Sequence, residues 1–300
     1  MTHALEAGGR DLTARRALAQ LRSQRGHGAL AWMDAPPGSP AAMHTAAAVT
    51  MVLVTALVDP WRASGTECPY DACAAAIEGP TAVHALSCGA QHERGLHAIH
   101  TRMKRTLQRL CRDNGAKYVT NESACMFTVP GRDRRADTAV WPHSLALAPS
   151  AKYRAVGFVL DTTVRAPTAI KYLTPARANA ATVSGFAAAT AEREKYKHHE
   201  GCLDDQRWRF IPFVHETYGR MGTAAAEFIS QLAGHAAACA GGSKGTIARR
   251  RGILRRRITS QLSAALVQEL AERMFAYMRG AMLRGAQLNP VSAILSAVPA

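Results

Sequence analysis

The chain has 300 residues, enough for one large domain or two small ones with a sizeable buried core. Its 37 Lys and Arg against 22 Asp and Glu give a net charge of +15, which favours a polyanionic partner, nucleic acid first; a soluble basic protein in which Arg and Ala are simply common is the alternative. The apolar run 46–58 is too short and too rich in Ala and Thr to span a bilayer, and the polar, charged start lacks the apolar segment of a signal peptide, so no membrane role is expected.

In chain order, Leu12, Leu18 and Leu21 set among arginines predict a helix over 10–22, and Pro36, Pro37, Gly38 and Pro40 separate it from a core helix over 43–58. Leu96, Ile99, Met103, Leu107 and Leu110 recur at three- and four-residue steps, with Arg102, Lys104, Arg105 and Arg109 between them. That spacing predicts an amphipathic helix over 96–111 with a basic outer face, stopped by Asn114-Gly115. Strands are expected over 117–120, 138–141, 154–164 and 208–214, where β-branched and aromatic residues cluster, and an Ala-rich helix over 176–199 joins the last two. A helix over 223–232, a small-residue linker over 234–245 and a final helix over 247–284 complete the chain. The last helix is basic at its start, through Arg249, Arg250, Arg251, Arg255, Arg256 and Arg257, and apolar later. The order of elements predicts an α/β sandwich around a mixed sheet.

The seven cysteines are an odd number, and three of them fall in Cys68-x4-Cys73-x10-His84-x3-Cys88. Three thiolates and one imidazole satisfy tetrahedral zinc with no open position, so the expected ion is structural and the compartment reducing. Such a site staples a loop-rich segment with little core of its own, because metal binding becomes folding free energy. Chance proximity is the alternative, and His92, His97 and His100 lie near enough to substitute for His84.

Cutting a phosphodiester needs a divalent cation, hence acidic oxygens on neighbouring rigid elements. Asp137 starts the strand 138–141, Asp161 follows the apolar run Val156–Leu160, and Glu122 follows the strand 117–120. Asp161 is expected at the edge of a buried sheet, either as a ligand or as a cap on the next turn. A lysine is also needed to position water or hold phosphate, and Lys195 lies on the helix leading from this sheet. By itself it reads with Glu192, Arg193, Glu194 and Lys197 as a solvated face.

With these residues stand Leu21-Arg22-Ser23-Gln24-Arg25-Gly26-His27-Gly28-Ala29-Leu30-Ala31-Trp32, Arg134-Arg135-Ala136-Asp137, Asp161-Thr162-Thr163-Val164 with Pro167, Ala191-Glu192-Arg193-Glu194-Lys195, and Phe210-Ile211-Pro212 with Glu216 and Gly219. In this order they resemble the C-terminal region of non-long-terminal-repeat retrotransposon proteins, where a reverse transcriptase is followed by a linker, a CCHC zinc motif and a restriction-like endonuclease. The resemblance runs from about residue 20 to residue 235. It implies that Asp137 and Asp161 bind catalytic Mg2+, that Glu122 assists, that Lys195 is the lysine, and that Cys68, Cys73, His84 and Cys88 bind Zn2+. Ala136 stands where the family has proline, and Thr163 where the wider PD-(D/E)xK superfamily has lysine, so activity depends on Lys195 reaching the site from its helix. The long interval between Asp137 and Asp161 suggests a hairpin extension through 142–152, and the lack of a Tyr-x-Asp-Asp core suggests a fragment, a decayed copy or a domesticated remnant.

The expectation is a helical linker region over 1–62, a zinc knuckle over 63–95, a restriction-endonuclease-like domain over 96–235, and a linker with a basic C-terminal helix over 236–300. The expected activity is nicking of DNA in the nucleus, with DNA, or RNA, as the partner and no small-molecule substrate; the alternative is an inactive, basic nucleic-acid-binding remnant.

Overall fold

The computed structural model describes residues 12–34, 68, 73, 84–86, 88, 97–123, 136–142, 157–174, 178–203 and 208–283. The expected core helix over 43–58 and the extension beyond Pro142 lie outside these residues. The elements are α1 (Leu12–Gln24), a 3-10 turn at Ala31–Asp34, α2 (His97–Asp113), β1 (Ala116–Ser123), β2 (Ala136–Pro142) and β3 (Gly157–Arg165). A 3-10 turn at Ile170–Tyr172, α3 (Phe186–His199), β4 (Trp208–Glu216), α4 (Thr223–Cys239) and α5 (Lys244–Leu283) follow. No helix among the described residues is long and apolar enough to cross a membrane.

The four strands form one mixed sheet in the order β1-β2-β3-β4, so the class is α/β. β1 and β2 pair antiparallel, as do β2 and β3. β3 and β4 run parallel from Gly157↔Trp208 to Arg165↔Glu216. A parallel pair needs a long crossover, and α3 lies on it. Strand alternation then sorts the side chains. Val140, Phe158, Leu160, Ile211 and Phe213 join the main core with α2, α4 and α5. Ala139, Val159, Trp141, Trp208 and Phe210 cluster on the other face, where Val214 packs on Ala188 and Ala191 of α3. Helices therefore cover both faces, which is why Gly157 to Thr163 of β3 is buried without a break. α5 makes a further layer over α2 and α4, burying Leu262, Leu266, Leu270 and Met274.

Several boundaries differ from expectation for local reasons. β3 ends at Arg165, close to the expected end at 164, because Thr162, Thr163 and Val164 are β-branched and suit the pleat, but Asp161 lies mid-strand between two neighbours rather than at the edge of the sheet. β1 reaches Ser123 and β2 begins at Ala136, which places Glu122 and Asp137 inside strands. The helix expected from 176 begins only at Phe186. Asn179 Oδ1 accepts from the backbone N–H groups of Ala181 (2.9 Å) and Thr182 (3.2 Å), holding that stretch in an Asx turn. The linker expected over 234–245 shrinks, because the alanines after Gly234 carry α4 through to Cys239 and Gly241 and Gly242 turn the chain with φ of 66° and 116°.

The segment after α1 docks on the loop that follows β4. Met221 N donates to His27 O at 3.0 Å, Arg220 Nη1 donates to Arg22 O at 3.2 Å, and Trp32 is buried in the main core. Gly219 has a φ of 88°, and its Cα lies against the Ala29 backbone, so an added Cβ meets the Ala29 carbonyl oxygen. Gly219→Ala is expected to destabilise the protein by about 2 kcal/mol or more, seen as a lower urea midpoint at unchanged m-value; an unchanged midpoint refutes this close approach.

His215 lies on the core side of β4 beside Phe213, at a ring separation of 5.3 Å, and neither ring nitrogen has a hydrogen-bond partner among the described residues. Burial lowers its pKa from 6.5 to about 4. Because the unfolded chain binds this proton more readily, the neutral ring contributes stability that is fully present above pH 6.5 and lost as pH falls toward about 4. Denaturant melts across that range are expected to show a flatter pH dependence for His215→Phe than for the native chain.

Candidate functional site

The three expected acidic residues fall on adjacent strands. Asn121↔Thr138 and Ser123↔Ala136 place the backbone of Glu122 across from that of Asp137, and β2 pairs with β3 from Thr138↔Leu160 to Val140↔Phe158, one step short of Asp137 and Asp161. α3 packs on β3 and β4, whereas α2 packs on β1, β2 and β3.

Asp161 is held from α3. Lys195 Nζ donates to both carboxylate oxygens, at 2.9 Å to Oδ1 and 2.7 Å to Oδ2, and His199 Nε2 lies 3.1 Å from Oδ2. Burial pushes this carboxyl up, but the His199 hydrogen bond and the Lys195 ammonium outweigh it and hold the group below the usual carboxylate range. Asp161 is therefore ionised at neutral pH. Asp137 is held differently. Its Oδ2 accepts from the Thr162 backbone N–H at 2.7 Å and lies 2.8 Å from His100 Nε2 of α2. Through Thr162 the two aspartates are tied to adjacent points of the same strand. Gln108 of α2 fixes the start of β2 by donating to Thr138 Oγ1 at 3.1 Å.

His199 and His100 were not among the expected site residues. His199 is legible in hindsight, because it sits four residues after Lys195 and so shares its helix face. His100, weighed as a substitute zinc ligand, is instead committed to Asp137. The presumed solvated face of α3 also divides. Glu192 Oε1 accepts from Ala224 N at 3.0 Å and so caps the start of α4, and Glu216 Oε1 accepts from Ala188 N at 3.1 Å at the start of α3. Burial raises the pKa of both.

The basic outer face expected for α2 is taken up in part by α5, while Arg105 and Arg109 stay exposed. Arg102 pairs with Glu269 and, at 3.3 Å, with Glu272; Arg109 Nη2 donates to Gln261 Oε1 at 3.4 Å; Lys104 is buried.

The second constellation is the cysteine cluster. The Sγ atoms of Cys68, Cys73 and Cys88 and a ring nitrogen of His84 all lie within 4.8 Å of one another, with Cys68 and Cys88 buried and the other two half-buried. The Cys68–Cys88 Sγ separation is 3.6 Å, and Cys73 Sγ is 3.5 Å from His84 Nε2. Tetrahedral zinc with ordinary bond lengths requires S–S and S–N edges of about 3.8 and 3.6 Å, so this donor set can hold a metal ion such as zinc. Burial, then the charge of Arg16, lowers the His84 pKa and favours the neutral imidazole that ligates metal. The cluster is not a free-standing knuckle. From α5, buried Arg273 donates through Nε to Ala85 O and through Nη2 to Cys88 O, both at 3.0 Å. Tyr277 stands edge-on to His84 with ring centres 5.9 Å apart. Among the described residues no other such grouping of three or more His, Cys, Asp or Glu side chains converges.

No protein-family model matches the chain, and neither characterised proteins nor solved structures show significant similarity to it. The site must be argued from its own chemistry. Elemental analysis of the purified protein is expected to find one tightly held metal ion per chain, lost in Cys88→Ser. A metal present at a thousand times its Kd contributes about 4 kcal/mol, so the variant is expected to melt roughly 10 °C lower. Metal retained by Cys88→Ser at unchanged melting temperature contradicts the assignment.

Proposed function

We propose that this protein is a metal-dependent endonuclease of the restriction-endonuclease-like kind, nicking DNA, with a structural zinc ion at Cys68, Cys73, His84 and Cys88. The observation that carries the reading is the pair Asp137 and Asp161 on adjacent strands, with Asp137 Oδ2 accepting from the backbone N–H of Thr162, next to Asp161, and Lys195 Nζ 2.7 Å from Asp161. Carboxylates on neighbouring strands repel one another, and a hard divalent cation such as Mg2+ would relieve that repulsion. The cation supplies charge neutralisation and an acidified water. In this reading Asp137 and Asp161 hold it, Glu122 assists, and the Lys195 ammonium orients the attacking water or binds a phosphate oxygen. Hydrolysis forms a bond from the water oxygen to phosphorus and breaks the phosphorus–oxygen bond to the leaving strand, whose alkoxide takes up a proton. The ordered segments from Leu21 to Gly219 support an origin in a non-long-terminal-repeat retrotransposon protein.

A second reading, a basic nucleic-acid-binding remnant without catalysis, draws on the same geometry. Lys195 and His199 already compensate Asp161, as they would in a buried ion-pair cluster that serves only the fold. Plasmid nicking separates the two. With Mg2+ the native chain is expected to nick supercoiled DNA, and Asp161→Asn and Lys195→Met to lose at least about a hundredfold in rate while still binding the plasmid. Nicking by Asp161→Asn at the native rate rejects the endonuclease.

A further inference from the structure

The first half of α5 carries a set of charges that the fold does not use. Between Lys244 and Gln268 there is no acidic residue, yet Arg249, Arg250, Arg251, Arg255, Arg256 and Arg257 fall within three turns. Two of them have structural work. Arg250 Nη1 donates to Gly241 O at 2.8 Å, and Arg251 Nη2 donates to Ser230 Oγ of α4 at 2.8 Å. Arg249, Arg255, Arg256 and Arg257 are exposed, and none has an ion pair or hydrogen bond among the described residues.

This placement works against the helix that bears it. Like charges three or four positions apart on a helix repel, as at Arg251 and Arg255, and no acidic residue stands among them. A helix selected only to cover α2 and α4 needs Ile258, Leu262, Leu266 and Leu270, which are buried, and has no use for a bare arginine edge. Seven residues separate Arg249 from Arg256, so they stand on the same side two turns apart, with Arg257 beside them and exposed Ile253 between. The edge therefore points away from the buried stripe of α5.

We infer that this edge of α5 is a sequence-independent binding ridge for the phosphate backbone of duplex nucleic acid. It shares a nucleic-acid partner with the proposed function but not its chemistry. The ridge belongs to the helix layer beyond α2 and α4, whereas Lys195 reaches Asp161 from α3 on the opposite face of the sheet. It thus holds backbone away from Asp161, as an anchor and not as part of a cleavage groove. An acidic protein could satisfy the same charges, but the closely and regularly spaced phosphates of a duplex match a row of guanidinium groups better than scattered carboxylates do.

The test uses the full chain with Arg249, Arg256 and Arg257 all changed to Gln, and fluorescein-labelled 30-bp duplexes of two unrelated sequences. Binding is followed by anisotropy between about 50 and 300 mM KCl. Each lost phosphate contact lowers the slope of log K against log salt by about 0.9, so the slope is expected to fall by about 3 for both duplexes, with at least tenfold weaker binding at about 0.1 M salt. The triple variant is expected to melt at the native temperature, since none of the three side chains has an ion pair or hydrogen bond among the described residues. Three results each overturn the ridge: an unchanged slope, a change confined to one sequence, or displacement of the duplex by polyglutamate of equal charge as readily as by unlabelled duplex. Asp161→Asn, measured in parallel, is expected to keep the native slope, so cleavage and anchoring fail independently.

Discussion

A carboxylate in the middle of a sheet that is covered on both faces is the constraint around which this fold is arranged. Asp161 cannot be buried there as an isolated anion, because the desolvation cost far exceeds what a strand gains from one more paired residue. Lys195 and His199 meet that demand from a single face of α3, and this fixes which way the helix turns as it crosses from β3 to β4. Glu216 then receives the first turn of α3, and Glu192 near its centre receives the first turn of α4. Acidic groups thus set the position of two helices over the sheet.

The opposite face follows a different logic. There the contacts are apolar, from Phe158 and Phe213 through Phe228 of α4 to the stripe of leucines on α5. Charge appears at the seam between α2 and α5, where arginines meet Glu269, Glu272 and Gln261. The main core thus lies on one side of the sheet, and the ion pairs of Asp161 with Lys195 and His199 lie on the other. This division is why Asp161 and the arginine edge of α5 can be varied separately.

What the sequence revealed depended on the distance between interacting residues. The strands were legible because β-branched and aromatic residues announce a pleat within a few positions, and the end of α2 was legible because Gly115 takes a φ of 94° just beyond it. The end of β3 was legible too, but the burial of Asp161 was not, since a carboxylate after an apolar run looks locally like an edge signal. Lys195 read by itself as part of a solvated face and drew its role from the resemblance, and His199 follows from it by helix spacing. The caps from Glu192 and Glu216 were not accessible, because their partners lie 32 and 28 residues away. Neither was the fate of the α2 arginines, whose partners come more than 150 residues later. Local pattern revealed elements, and long-range pairing decided which of their faces stayed open.

The link between the cysteine cluster and α5 has a consequence for how the protein is made. Cys68 to Cys88 leave the ribosome early, but Arg273 and Tyr277, which hold and cover that loop, are synthesised some 185 residues later. At ordinary translation rates of 5–20 residues per second, the thiols wait roughly ten to forty seconds without their lid. An ion taken up during that interval would keep the thiolates of Cys68, Cys73 and Cys88 paired until α5 arrives. If the cluster holds a metal, its supply during synthesis then bears on the yield of correctly assembled chain.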